Sequence, residues 1–324
     1  MQKFTCVQDI ADSGQDLSLA INQLIQEASA FKKTPFAQQT LGLQKRIGLI
    51  FLNPSLRTRL STQVAAEQLG LQAMVFNIGS EGWTWEFEDG VVMKGNTAEH
   101  IKDAVPVLSS YFDVLAIRTF PGLKDRQLDY CEFYLNQFIK YSTVPVISLE
   151  SATLHPLQSL TDLMTISEFG LKRPKIVLSW APHVKVLPQC VANSFAQWVT
   201  AWDQADFIIT HPEGMELEET YTRGASIIHD QKEALAEADF VYVKNWSSYR
   251  DYGQAMNGKE DWLLQPEDLS RTNAAKIMHC LPVRRNVELS DALLDSKQSI
   301  VTQQAANRVW AAQAVLAQIL NTNG

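Results

Sequence analysis

The sequence predicts an α/β protein made of two doubly wound parallel-sheet domains with a cleft between them. Three observations lead there. Short apolar runs of strand length alternate with stretches at helical spacing, the pattern of parallel sheets covered on both faces. The 324 residues exceed what one core usually supports. The strand rhythm also restarts after Glu150. That divides the chain into residues 1–150, residues 151–303, and a C-terminal helix over 304–324 expected to pack back on the first domain.

Leu17–Ala28 carries apolar residues at helical spacing and predicts the first helix. Ile47–Leu52 is a buried strand, broken by Asn53-Pro54, because proline lacks an N–H and pushes its predecessor away from helix. Ser55 is placed to cap the next helix, whose predicted buried stripe is Leu60, Val64, Ala65 and Leu69. Ser55, Arg57, Thr58 and Arg59 therefore crowd a first turn. Ala73–Asn77 follows as a strand, then a glycine-bounded loop, Gly79–Gly90, which displays Trp83 and Trp85. Those tryptophans either fold inward as core anchors or serve as a lid or a contact with a neighbouring subunit. A helix from about Thr97 to Tyr111, a strand Asp113–Arg118, a helix Arg126–Lys140 and a strand Val144–Leu149 complete the first half.

Past Glu150, His155-Pro156-Leu157-Gln158 starts a helix, with Pro156 suited to its first turn. Further strands are predicted at Pro174–Trp180, Asp206–Thr210, Ser226–His229, Asp239–Lys244, Lys276–Cys280 and Ser299–Thr302, and a last helix over Gln304–Leu320. Arg57, Arg118, His155, His183, Lys244 and Cys280 all fall at or just beyond the carboxyl end of a strand, where open α/β sheets bind ligands.

The first of these places reads as an anion site. A helix's first turn leaves N–H groups unpaired and carries the positive end of its dipole, so arginines there are in conflict unless an anion binds. The hydroxyls of Ser55 and Thr58 would add donors to its oxygens. With a net charge of −8, the chain is a poor candidate for general nucleic-acid binding. It has no apolar run of membrane-spanning length, and its N-terminal stretch, which contains acidic residues, lacks a signal core. Cys6, Cys131, Cys190 and Cys280 are far apart with no CxxC, which suits reduced thiols in the cytoplasm. No histidine spacing suggests zinc. Bland alternatives stand beside the functional ones: a surface ion pair for Arg118, a buried salt bridge for Lys244, a small buried hydrophobe for Cys280. No base visibly activates Cys280, so it is not read as a nucleophile.

SLRTR at Ser55–Arg59 resembles the S-x-R-T-R carbamoyl-phosphate signature of the aspartate and ornithine carbamoyltransferases. HPLQ at His155–Gln158 and HCLP at His279–Pro282 follow in that family's order, and the likeness runs through essentially the whole chain. The branch that acts on N-acylated ornithine is the most similar. The ornithine enzymes' S-M-G segment is missing from Asp239–Tyr249, while the tryptophan loop, Trp180–His183 and Pro282–Asn286 resemble the acylornithine enzymes. Just before Glu99-His100, acetyl-type enzymes carry glutamate and succinyl-type enzymes proline. Ala98 matches neither, but it lacks the charge that would repel a second carboxylate.

The resemblance implies carbamoyl transfer from carbamoyl phosphate to the δ-amine of N-succinyl-L-ornithine, in arginine biosynthesis, with N-acetylornithine as the alternative acceptor. A catalytically silent phosphate-metabolite-binding regulator is the reading from another class. An oxidoreductase is disfavoured, because the first strand–helix turn has no GxGxxG. By the same resemblance Ser55, Leu56, Arg57, Thr58, Trp83, Arg118, His155, Gln158, Cys280, Leu281 and Arg308 bind carbamoyl phosphate. Trp83, Glu150, His183, Lys244, Cys280, Leu281 and Arg284 bind the acylornithine. Arg57, Thr58, Arg118, His155 and Cys280 would take part in catalysis, and Trp83 would serve a neighbouring subunit's site in a homotrimer. No metal or other cofactor is implied.

Overall fold

The computed structural model describes residues 1–11 and 14–322. Asp12, Ser13, Asn323 and Gly324, which the sequence-derived ranges include, lie outside the described residues. The first sheet contains β1 (Lys3–Phe4), β2 (Arg46–Phe51), β3 (Gln72–Asn77), β6 (Val114–Arg118) and β7 (Val146–Glu150), all parallel, in the order β1-β7-β6-β2-β3. The short pair β4 (Trp85–Glu86) and β5 (Glu99–His100) stands apart. The second sheet contains β8 (Lys175–Trp180), β9 (Asp206–Thr210), β10 (Ser226–Ile228), β11 (Phe240–Lys244) and β12 (Lys276–Met278), again parallel, in the order β10-β9-β8-β11-β12.

The period of two along each strand decides which core a side chain enters. Ile47, Leu49 and Phe51 of β2, Ile147 and Leu149 of β7, and Ile176, Leu178 and Trp180 of β8 all enter one continuous cluster. The helices α1 (Leu17–Lys33), α2 (Leu56–Gln68), α6 (Pro156–Ser167), α7 (Cys190–Trp202) and α11 (Val301–Thr322) also contribute to it. Ile50, Leu115 and Ile117 point to the other face of the first sheet, under α3 (Ile101–Tyr111) and α5 (Phe133–Tyr141). Val177, Val241 and Val243 do likewise in the second sheet, under α9 (Gln231–Leu235) and α10 (Asp291–Leu294). Both sheets are thus doubly wound, and they share the core on one side. The helix α11 packs on α1, α2 and α6.

Several local expectations are corrected. Leu60 and Val64 are 52% and 39% exposed. The buried face of α2 is Thr58, Thr62, Ala65 and Ala66, small side chains that let α11 approach closely. Ser55 precedes α2 but its side chain makes no capping hydrogen bond. The predicted helix Arg126–Lys140 breaks into α4 (Arg126–Tyr130) and α5, because Glu132 turns left-handed (φ 51°). In that conformation its carboxylate accepts hydrogen bonds from the Ser151 hydroxyl and from the Ala152 and Thr153 N–H groups. The helix expected from Thr97 starts at Ile101, since Glu99 and His100 pair with Trp85 and Glu86. Ser299–Thr302 is not a strand. Ser299 makes a single bridge to Ile277 and the chain turns into α11 at Val301. The edge strand β1, too short to show a period, was not foreseen. The short α8 (Glu219–Thr222) completes the helices.

Candidate active site

Local sequence places the charged groups where the strands end. The chain leaves β2 through Asn53-Pro54 and enters α2 at Leu56, which turns Ser55, Arg57 and Thr58 toward the second sheet. The last residues of β6, β7 and β11 are Arg118, Glu150 and Lys244, and the chain beyond β12 runs through His279 and Cys280. Pro156 at the first helical position starts α6 directly after His155. These ends face one another across a cleft of about 550 Å³. Its walls include Ser55, Leu56, Arg57, Thr58, Arg118, Glu150, His155, Gln158, His183, Lys244, Cys280, Leu281, Arg284 and Arg308. Of the residues that the family resemblance assigns to the two substrates, Trp83 alone is elsewhere: it is 60% exposed, hydrogen-bonds Glu99 at 2.7 Å, and borders a second, more apolar hollow with Phe76 and Tyr111. Trp85 turns inward instead, its ring 5.9 Å from Phe138. Trp85 is thus the core anchor of the loop, and Trp83 stays on the surface. Arg59 also lies outside the cleft, within electrostatic reach of Glu81, so of the two arginines in that turn only Arg57 lines the cleft.

The anion end is a buried network. Arg308 Nη2 donates to Thr58 Oγ1 at 2.6 Å, and Nη1 donates to Gln158 Oε1. Arg118 is not a surface ion pair. It is 8% exposed, its Nε and Nη2 donate to Glu150 Oε2 at 3.0 and 2.7 Å, and its Nη1 donates to the carbonyls of Asn53 and Pro54. Arg118 thus pins the loop that carries the α2 turn. The Arg57 Nε is buried with no hydrogen-bond partner, a donor left to a ligand.

The electrostatics follow from burial and these neighbours. Burial alone would raise the Glu150 pKa, but Arg118 and His155 outweigh it and hold the carboxyl at about 2. His155 goes the other way: burial, helped by Arg308 and Arg118, overcomes the pull of Glu150 and takes its pKa down to about 3. The ring is therefore neutral near pH 7, with Nε2 4.0 Å from Glu150 and Nδ1 buried without a partner. Burial raises the Cys280 and Cys190 thiols, so neither is a nucleophile.

At the opposite end, Lys244 is 7% exposed, donates to the Asn245 carbonyl at 2.9 Å, and has no carboxylate within ion-pair distance among the described residues. The buried salt bridge is thereby excluded. The His279 ring shapes the neighbouring turn. Its Nδ1 accepts from the Leu281 N–H at 2.9 Å and its Nε2 faces Glu288 Oε1 at 3.3 Å, while Leu281 is left-handed (φ 57°). His183 is half-buried, its Nδ1 occupied by the backbone of Lys185, and Arg284 is exposed.

Sequence reasoning missed Phe120, Leu187, Pro188, Cys190 and Val191, which also line the cleft. Arg118 lies over the Phe120 ring at 4.9 Å, and the Cys190 thiol donates to Glu150 Oε1 at 3.3 Å. Apolar residues at a helix start give no signal until the fold brings them beside charge.

Two family models match the chain: the carbamoyl-phosphate-binding domain of aspartate/ornithine carbamoyltransferases over residues 13–168, and their aspartate/ornithine-binding domain over residues 190–319. The chain belongs to the aspartate/ornithine carbamoyltransferase family. Within it, the chain is 46% identical over 323 residues to N-succinylornithine carbamoyltransferase of Bacteroides thetaiotaomicron, covering 99% of each. It is 35% identical to N-acetylornithine carbamoyltransferase of Xylella fastidiosa, over 92% of this chain and 94% of that one. A solved N-acetyl-L-ornithine transcarbamylase, a glutamate-to-alanine variant complexed with carbamyl phosphate and N-succinyl-L-norvaline, superposes with a TM-score of 0.89. It is 33% identical, over 98% of this chain and all of that one.

Proposed function

We propose that this carbamoyltransferase-family protein moves the carbamoyl group of carbamoyl phosphate to the δ-amine of N-succinyl-L-ornithine, giving N-succinyl-L-citrulline and phosphate. The carrying observation is the charge of the cleft. Arg57, Arg118, Arg284, Arg308 and Lys244 line it against the single carboxylate of Glu150. Such a surplus suits a phosphate together with an acceptor that bears two carboxylates, and N-acetylornithine would bring one fewer. Ala98 adds no negative charge, its N–H bonding the Thr84 carbonyl. The full-length likeness to a protein named for the succinyl acceptor supports the same choice.

In this reading Ser55, Leu56, Arg57, Thr58, Gln158 and Arg308 hold the phosphate, while Glu150, His183, Lys244 and Arg284 face the acylornithine. The free amine, with a lysine-like pKa of about 10.4, must shed its proton to attack, and a cationic pocket favours the neutral form. Attack forms the C–N bond and a tetrahedral oxyanion. Thr58, Arg118 and the neutral His155 serve it as hydrogen-bond donors, each worth about 10²–10³ in rate. The C–O bond then breaks, and the departing phosphate takes the amine proton. The backbone at Cys280 and Leu281 borders the reacting nitrogen.

The exposed Trp83 completes the cleft of another copy in a homotrimer. Leu56, Leu60 and Val64, 70%, 52% and 39% exposed at helical spacing on α2, support a face that meets another copy. We place the domain boundary after Glu150, α6 and α11 tying the halves together, and the protein in the cytoplasm, as its free cysteines suggest. Among the described residues, no helix is long and apolar enough to cross a membrane.

The test is product formation with N-succinylornithine, N-acetylornithine and ornithine in parallel. A clear preference for the succinyl compound is expected. A preference for the acetyl compound would overturn the choice of acceptor, and no product from any of them would overturn carbamoyl transfer.

A further inference from the structure

Asp162 lies one turn beyond Gln158 on α6 and is fully buried. It does not line the cleft. Its Oδ1 accepts from Gln158 Nε2 at 2.7 Å and from Gln304 Nε2 at 2.7 Å. An amide that donates through its nitrogen must turn its oxygen the other way. Gln158 Oε1 thereby meets Arg308 Nη1, and the other arm of that guanidinium reaches Thr58 Oγ1 at 2.6 Å. Gln304 Oε1 meets the His279 N–H at 2.9 Å, one residue before Cys280. One carboxyl oxygen thus orients two amides. One leads to the anion turn of the first domain, the other to the strand end of the second that carries Cys280 and Leu281.

We propose that Asp162 is a positioning residue for the anion site: by fixing the Gln158 and Gln304 amides it keeps Arg308 on Thr58 and the Cys280–Leu281 segment at the cleft wall. Without that acceptor, the Gln158 amide is held on one side only, its NH₂ left buried with no partner, and the oxygen that sets Arg308 is no longer fixed. Tyr242 lies against the same carboxyl, and burial outweighs the hydrogen bonds from Gln304, Gln158 and Tyr242 to raise the Asp162 pKa to about 7. Oδ1 accepts in either protonation state, so the role does not depend on the charge.

The inference rests on the reading of this end of the cleft as an anion site. It is therefore tested first by calorimetric binding of inorganic phosphate, which needs neither an acceptor substrate nor turnover, and then by kcat and KM for each substrate. Asp162→Leu keeps the branched shape but removes the acceptor, leaving two buried amides without a partner, so its fold is checked by melting before binding is read. It is expected to weaken phosphate binding at least tenfold and to lower kcat/KM for carbamoyl phosphate by about 10²-fold. Asp162→Asn, which keeps an oxygen in place, is expected to stay within about fivefold of wild type. Because Asp162 reaches Arg308 and Thr58 through Gln158 and the Gln304 arm serves the Cys280–Leu281 wall, adding Asp162→Leu to Gln158→Leu is expected to weaken phosphate binding by less than about threefold more.

Full multiplication of the two effects, or Asp162→Leu binding phosphate within threefold of wild type, overturns the proposal. If Asp162→Leu does not fold, Asp162→Asn decides, and a tenfold loss of phosphate affinity there overturns it as well. Absence of carbamoyl transfer in the wild type would count against the proposed reaction, while the phosphate measurements would still judge Asp162.

Discussion

The two ends of the cleft are built differently. At the anion end, Thr58, His155, Gln158 and Arg308 are each less than a tenth exposed and come from α2, the start of α6 and α11, and the Arg308 guanidinium ties Thr58 and Gln158 together by charged hydrogen bonds. At the other end, His183, Leu281 and Arg284 sit on loops beyond strands, half-buried or exposed, while Glu150 and Lys244 are held in the interior by the last positions of β7 and β11. A preorganised pocket on rigid elements suits the compact phosphate, whose geometry is fixed. In the proposed reading the longer, flexible acceptor would meet groups that still have freedom to adjust, which is where specificity diverges most readily.

Four measurements would break or sharpen that contrast. The largest effect is expected from Arg57→Ala, a loss of kcat/KM of about 10³-fold or more with no loss of thermal stability, because its buried Nε has no protein partner to lose. Near-normal turnover in that variant at saturating carbamoyl phosphate would remove the anion site. Next, Lys244→Ala should raise the acylornithine KM by about 10–100-fold and leave carbamoyl-phosphate binding nearly intact, as separate titrations would show. Equal loss of both would mean the two ends are one mechanical unit. Arg284→Ala, at an exposed position, should raise the same KM by only about two- to tenfold.

The smallest effect is on stability. His155 is neutral in the folded chain, its pKa taken from 6.5 to about 3 mainly by burial, whereas the unfolded chain binds a proton below about 6.5. The unfolded state therefore holds more protons in this window, so stability falls as pH drops from 6.5 toward 3. Melting curves of His155→Gln should flatten over that range relative to wild type. Parallel curves would show that the ring is not the source.

Legibility in the sequence followed the same division. The anion end was readable because its signals are local: a proline break, a first turn with Arg57 and two hydroxyls, and His155 and Gln158 flanking a proline at a helix start. The sheets were readable from short apolar runs of strand length alternating with stretches at helical spacing. Leu60 and Val64 misled because apolar character was taken for burial, whereas α11 selects the small side chains of α2 for close packing. Ser299–Thr302 misled because its β-branched residues sit at the start of a helix whose stability comes from packing. The break at Glu132 depends on a hydrogen-bonded target some twenty residues ahead, which no local window contains. Nor could Cys190 and Phe120 be read from local pattern, since they matter only through the charges folding sets beside them.

The contact between Arg308 and Thr58 spans 250 residues of chain. Domains form from the N-terminus onward as a chain is synthesised. The α2 turn is therefore made long before Arg308 exists to meet it, and the Arg308 link between Thr58 and Gln158 forms only when the final helix docks on α1, α2 and α6.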